Sequence, residues 1–485
     1  MPQNTRTDFN TVRKIFNQAR YIQGFSANPA FIMPAAWSGM WMKSQIGYGY
    51  SMFLFSFNET VGEMSYLEKD LRRLWSILQI KLRRDPRYLR RIKRKYQHTI
   101  KKATALFKEI DEINFRALSE KEFITLLRRA VTAHFEAVGA GHIIEPIGIE
   151  LEKSFRQRLE KFVAVVPMLN QYFSLLTTPT KASFAALEET DLRKIARLPK
   201  TQQAEALRKH SQRYEWISNS YVRRRQIPIS EFRKRLQALA NIPSSPNTIT
   251  RRKMALIRRL RLDKKMREMI EWIDFATVWQ DERKANILRT VSYLGQIFDE
   301  LARRSGVEKE TVYQLTVQEL LRLRSVREVE RMKSKLFARR KGCFIVSTIA
   351  KEYIVTGAQY QKLRKVYDEI QSRERSSENE IHATTANSGT AVGRAVICHS
   401  LKSLAKVRPG DIIVAPMTRP EYMTALKKAA AIVTDEGGIT CHAAIISREL
   451  DIPCIIGTKI GTKVFNDGQK LEVRADHGLV RALEE

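Results

Sequence analysis

The chain has 485 residues, 43% hydrophobic and 28% charged, so it is too long for one ordinary core and too apolar for disorder; two or three domains are expected. Its formal net charge of +33 is unevenly spread. From Gly389 onward 13 Lys plus Arg face 11 Asp plus Glu, which leaves +31 on the residues before it. The four cysteines, Cys343, Cys398, Cys441 and Cys454, form no CxxC pair, which argues against a disulfide scaffold or a cysteine-built metal site and suits a reducing cytoplasm.

The N-terminus, MPQNTRTDFNTVRKIF, lacks the charged, apolar and small-residue succession of a signal peptide. The most apolar stretch, Phe31 to Phe57, is interrupted by Pro34, Lys43, Gln45 and three glycines, and reads as a buried segment with no membrane span. From about Glu63 to Arg340 apolar residues recur at three- and four-residue spacing with few glycines, so long amphipathic helices are expected. Ile287, Leu288, Val291, Leu294, Ile297, Phe298 and Leu301 line one helix face, and that helix stops near Ser305-Gly306. Thr316 with Glu319 gives a capping box before Leu320 and Leu321.

After Lys341 the period changes. Cys343 to Ser347 and Tyr353 to Thr356 predict a short hairpin within 343–356, followed by a helix over Gln359 to Ile370. Residues 371–388, QSRERSSENEIHATTANS, have linker composition. Beyond them strands are expected at Arg394 to Ile397, Asp411 to Ala415, Ala431 to Thr434, Pro453 to Ile456 and Leu471 to Val473. Helices are expected over Arg419 to Lys428 and Cys441 to Glu449. The fold class is therefore multidomain, α plus α/β: a basic, mainly helical domain over 1–370, a flexible linker over 371–388, and a compact α/β domain over 389–485.

The informative stretch runs from Ala429 to Thr458, AAAIVTDEGGITCHAAIISRELDIPCIIGT. A short strand ends in Asp435-Glu436, turns through Gly437 and Gly438, and delivers Thr440, Cys441 and His442 to a helix start. The first N–H groups of a helix, including that of Ala443, have no internal partner and sit at the positive end of its dipole, so they suit a phosphoryl group. Thr440 adds a hydroxyl donor, the glycines allow close approach, and a neutral imidazole supplies a nucleophilic nitrogen. Arg448 lies nearly two turns further on, where it can reach phosphate or pair with Glu449 or Asp435.

This stretch resembles the phosphohistidine signature of the phosphoenolpyruvate (PEP)-utilising enzymes: PEP synthase, pyruvate phosphate dikinase, the first enzyme of the sugar phosphotransferase system, and rifampicin phosphotransferase. Thr434 to Gly438, Thr440, His442 to Ala444, Ser447 to Glu449, Ile452-Pro453 and Gly457-Thr458 carry the likeness, and Gly389 to Arg394 and Val414 to Thr418 extend it over Ser388 to Glu485. The resemblance implies a swivelling β/β/α domain in which His442 is phosphorylated, with Gly437, Gly438, Thr440, Cys441, Ala443 and Arg448 around the phosphate and no metal bound by the domain itself. Thr440 matches a regulatory phosphorylation position in some dikinases. Cys441 departs from the common serine, and a thiol is a weaker hydrogen-bond donor.

Full-length relatives also have an ATP-grasp domain and often a PEP-binding barrel, neither of which is recognisable here. A separate ATP-grasp or PEP-binding protein is therefore the expected partner, with ATP and Mg²⁺ bound through it and the small-molecule acceptor undefined. His210 to Tyr221 and Gly295 to Leu323 resemble helices that precede the swivelling domain in PEP synthase-like and rifampicin phosphotransferase-like proteins. The basic runs Lys81 to Lys102 and Arg251 to Lys265 read first as solvated helix faces, next as a docking surface for an acidic partner; no nucleic-acid-binding motif accompanies them. The remaining histidines lack metal-ligand spacing. The leading expectation is a cytoplasmic phosphotransferase component. The alternative is a regulatory or nucleic-acid-binding protein that retains the histidine domain as an interaction module.

Overall fold

The computed structural model describes residues 5–483 except 19, 27, 34–37, 59–60, 140, 222, 241–248, 349, 374–379, 400, 419–421 and 439–440. The chain forms two compact units, and neither is continuous in sequence. One comprises 1–146, 219–224 and 286–376; the other comprises 147–218, 225–285 and 377–485. The single helical domain expected over 1–370 is therefore divided, because its middle helices cluster with the C-terminal α/β part.

The first unit contains a five-stranded sheet in the order β1-β3-β2-β4-β5, with β1 Arg20–Ser26, β2 Met52–Asn58, β3 Val61–Leu67, β4 Cys343–Thr348 and β5 Glu352–Thr356, antiparallel throughout. The expected hairpin is thus the edge of a larger sheet that reaches back to the N-terminus. The strand β2 has three phenylalanines among its seven residues, and its period of two places them on one face. Phe53, Phe55 and Phe57 stack along one face with ring centroids 6.2 and 6.0 Å apart. Met52 and Leu54 join Phe344, Val346, Val355, Tyr360, Leu363 and Tyr367 in a core on the other face, capped by the helices Thr5–Phe16 and Gly357–Arg373. A strand buried on both faces has a continuous apolar run, which is why Met52 to Phe55 carries no alternation.

The helical expectations in this unit hold at their strongest points. The seven residues from Ile287 to Leu301 are all buried, and Gly306 adopts φ +64° after the helix ends at Ser305. Thr316 and Glu319 form the capping box, and Glu319 also receives two bonds from the buried Arg339 guanidinium at 2.7 and 2.8 Å. The Arg339 charge holds the Glu319 carboxyl down at about 2 despite its burial.

In the second unit an eight-stranded sheet runs β6-β13-β12-β8-β9-β10-β11-β7. Its strands are β6 Glu380–His382, β7 Thr384–Asn387, β8 Thr390–Ile397, β9 Ile412–Ala415, β10 Ala431–Thr434, β11 Cys454–Ile456, β12 Lys470–Arg474 and β13 Leu479–Ala482. The central strands β8, β9, β10 and β11 are parallel and read as short apolar runs; the outer pairs are antiparallel. Residues 380–387, expected as linker, are instead the two edge strands. Short polar edges blunt further pairing, so composition alone mistakes them for linker. Residues 374–379 of that linker lie outside the described residues.

Candidate functional site

The site grows from the carboxyl ends of the adjacent parallel strands β9 and β10. Their register pairs Thr434 with Ala415 and continues one step further, since the amides of Asp435 and Glu436 donate to the carbonyls of Ala415 and Pro416 at 3.0 and 2.9 Å. Loops leaving neighbouring parallel strands at this end converge, the usual place for ligand chemistry in α/β sheets.

Beyond Glu436 the chain reverses. Gly437 sits at φ +120°, and a Cβ there would meet the Cys441 sulfur at 2.7 Å, so this position requires glycine twice over. The Cys441 amide closes the turn onto the Gly438 carbonyl at 2.8 Å. Cys441 is the N-cap, with an extended backbone and a sulfur that accepts from the Ala444 amide at 3.5 Å. Burial pushes its thiol above the usual range, so it stays neutral at physiological pH and adds no negative charge beside the helix start. His442 opens the helix His442–Leu450, which ends in left-handed Asp451, with the Ile452 amide returning to the Ser447 carbonyl at 2.8 Å.

The imidazole is oriented from the neighbouring strand. Thr418, buried three residues past β9, places Oγ1 2.9 Å from Nδ1 of His442. Sequence reasoning did not single out Thr418, although Val414 to Thr418 carried part of the family likeness; its pairing with a residue 24 positions away depends on the β9–β10 register.

Asp435 has a scaffolding place. Its buried carboxylate accepts from the Thr458 hydroxyl at 2.9 Å, the Thr462 amide at 3.0 Å and the Thr462 hydroxyl. The Thr458 amide donates to the Thr434 carbonyl at 3.0 Å. Burial raises the Asp435 pKa and these donors oppose the rise. The separated halves of the signature, Thr434-Asp435 and Gly457-Thr458, therefore form one hydrogen-bonded loop cluster.

Arg448 is directed elsewhere. Its Nε donates to the Ala386 carbonyl at 2.8 Å and its Nη2 to Thr177 Oγ1 at 3.2 Å; burial lowers its pKa to about 10, with the Glu152 charge opposing. Glu449 accepts from the amide and hydroxyl of Ser183 at 3.3 and 3.1 Å. Neither Glu449 nor Asp435 is bonded to Arg448 in these contacts; both neighbours on this helix instead meet partners in the helical part of the same unit. Around them, Lys427 pairs with Glu189 at 2.7 Å, Ser174 donates to the Ala386 carbonyl at 2.9 Å, and Asn170 donates to the Asp476 carbonyl at 2.6 Å.

The glycine turn is approached from the helix Glu152–Leu159. A Cβ on Gly438 would lie 2.7 Å from Glu152 Oε2 and 3.2 Å from the Gly148 carbonyl. Of the expected site residues, the fold thus gathers Gly437, Gly438, Cys441, His442 and Ala443 at one turn and sends the Arg448 side chain toward β7. Thr440 lies outside the described residues. Among the described residues no group of three His, Cys, Asp or Glu is placed to hold a metal ion, and no helix is long and apolar enough to cross a membrane. His134, bonded to Thr290 and the Phe31 carbonyl, and His210, bonded to Glu188, are buried structural histidines.

A histidine opening a helix after a parallel strand and a glycine turn has its ring beside the positive end of that helix. Residues 407–478 match the family described as PEP-utilising enzyme, mobile domain. The chain is 44% identical over 133 residues to a probable phosphoenolpyruvate synthase of Archaeoglobus fulgidus, covering 27% of this chain and 18% of that one. It is 50% identical over 95 residues to phosphoenolpyruvate synthase of Pyrococcus furiosus, covering 20% of this chain and 12% of that one. An uncharacterized phosphotransferase of Bacillus subtilis is 34% identical over 125 residues, covering 26% and 15%. The chain spans less than a fifth of the length of each of these relatives.

Proposed function

We propose that this protein is a phosphotransferase component in which His442 carries a phosphoryl group from a donor site to an acceptor site. The Thr418–His442 bond is the observation that supports it most. A hydroxyl at Nδ1 fixes the ring and, when Nδ1 keeps its proton and donates to Thr418 Oγ1, leaves the Nε2 lone pair as nucleophile. Nε2 attacks the phosphorus of ATP or PEP in line. The new N–P bond forms as the P–O bond to the leaving group breaks, and that oxygen keeps the electron pair. The neutral Cys441 thiol and the positive end of the His442 helix favour the anionic product.

In the second step an acceptor oxygen attacks the same phosphorus, the N–P bond breaks, and the pair returns to Nε2. The donor site belongs on a separate ATP-grasp or PEP-binding protein, with Mg²⁺ held on the nucleotide, and the chain acts in a reducing cytoplasm. Its four cysteines are free thiols, in keeping with that compartment. The acceptor is a small molecule of a class the site residues leave undefined. Incubation with labelled ATP or PEP, Mg²⁺ and a lysate of the source cells tests the reading: acid-labile label appears on the wild-type chain and is lost in His442→Asn. Equal labelling of the two proteins overturns it.

A further inference from the structure

The basic run at Lys81 to Lys102 belongs to the first unit, whereas the His442 turn belongs to the second. Residues 86–108 hold nine Lys plus Arg and no Asp or Glu. Most of them lie on the helix Tyr88–Glu112. At about 100° per residue, Arg90, Arg91, Arg94, Lys95, His98, Lys101 and Lys102 share roughly 140° of arc. Tyr88, Leu89, Ile92, Tyr96, Ala103, Phe107 and Ile110 fill the opposite, buried side. All six cations of the arc are exposed, and the stripe from Arg90 to Lys102 is about 18 Å long.

Several exposed helix faces in this protein mix the two signs, and the helices Ile249–Arg259 and Lys333–Lys341, which also carry no acidic residue, expose Met254 and Phe337. Elsewhere cations are matched within the helix: Arg193 with Glu189, Lys194 with Asp191 and Arg208 with Glu205, each at 2.9 Å, and Arg303 and Arg304 with Glu300 at 2.7 Å. On the stripe Arg91 meets Asp85 and Lys95 meets the Gln45 side-chain oxygen. Among the described residues Arg90, Arg94, Lys101 and Lys102 have no acidic partner. Keeping like charges along successive turns costs stability unless an anion relieves it. No large apolar side chain of this helix is exposed, so the face lacks the aromatic or aliphatic anchors on which protein interfaces depend. A regular line of phosphates needs no such anchor.

We propose that the outer face of the Tyr88–Glu112 helix binds the phosphate backbone of a nucleic-acid duplex without regard to base sequence. Four neutralised phosphates give a salt slope of about −3.6, or roughly 150-fold weaker binding at 200 mM than at 50 mM salt.

The test uses the full chain, fluorescent 20-base-pair DNA and RNA duplexes of unrelated sequences, and anisotropy at several salt concentrations. The variant R90E/R94E/K101E/K102E is compared with R331E/K333E/K362E/K365E, which changes the net charge equally at other exposed cations. The proposal expects saturable binding of every duplex, at least a tenfold loss and a shallower slope in the first variant, and less than a threefold change in the second, with both melting like wild type. It is overturned by absent binding, by equal loss in the two variants, by a requirement for one base sequence, or by polyglutamate competing as well as duplex at equal charge. That last result would mark a docking face for an acidic protein.

Discussion

Thr418 Oγ1 stands 2.9 Å from Nδ1 of His442, joining two loops that leave neighbouring parallel strands. The bond occupies Nδ1 and fixes the orientation of the ring, so its loss will act on the proposed chemistry more than on the fold. Thr418→Val is expected to slow phosphohistidine formation by about 10- to 100-fold, the cost of a misoriented or wrongly protonated imidazole. Thr418→Ser, which keeps the hydroxyl, will stay within severalfold of wild type. Single-turnover labelling measures both, and equal rates in the two variants would remove Thr418 from the mechanism.

The approach of Glu152 to the glycine turn predicts a compensating pair. Gly438→Ala places a methyl group 2.7 Å from Glu152 Oε2 and 3.2 Å from the Gly148 carbonyl, so the Glu152 side chain and the turn must both give, and melting temperature and labelling rate will fall. Adding Glu152→Ala removes that clash and will restore much of the loss. Gly437→Ala will not be restored by it, because its φ of +120° and the Cys441 sulfur oppose any side chain there, at about 1–3 kcal/mol for the backbone alone.

Cys441 caps the His442–Leu450 helix through a long S···H–N contact of 3.5 Å. Serine is among the strongest N-caps, so Cys441→Ser is expected to stabilise the protein by about 0.5 kcal/mol and leave labelling at or above the wild-type rate. Thermal melting and labelling of the purified variant check this together.

Asp281 provides a pH prediction. Burial pushes its pKa up to about 7; the Phe184 amide, which donates to Oδ2 at 2.8 Å, pulls the other way, and the Glu449 charge adds to the rise. The folded state therefore holds a proton that the unfolded chain releases near pH 4. Between about pH 4 and pH 7 the native state binds more protons, so stability from this group falls as pH rises through that window. Asp281→Asn should melt higher than wild type at pH 8, on the order of 1 kcal/mol, with the advantage shrinking toward pH 5. A difference independent of pH would show that Asp281 is not the titrating group.

The sequence made the His442 turn legible because its physics is local: the strand, the two glycines, the cap and the helix occupy one continuous stretch. The central strands were legible for a similar reason, and β10 was bounded correctly at Ala431 and Thr434. What escaped was set by pairing over distance. The role of Thr418 needs the β9–β10 register, β6 and β7 are too polar to stand out from a linker, and β2 is apolar on both faces, so it lacks the alternation that marks a strand. Arg448 was near enough along the helix to serve the phosphate, yet Ala386 and Thr177, distant in sequence, engage its guanidinium.

His442 as the proposed phosphoryl carrier is tested by locating the phosphorus atom. The full chain, treated with its phosphoryl donor and kept alkaline, is digested for mass spectrometry, while a ¹⁵N-histidine sample is followed by long-range ¹H–¹⁵N correlation. One phosphoramidate is expected, at Nε2 of His442, absent from His442→Asn. A phosphoryl group on another residue, or none on His442 when a donor protein that labels a related histidine domain is supplied, would contradict it.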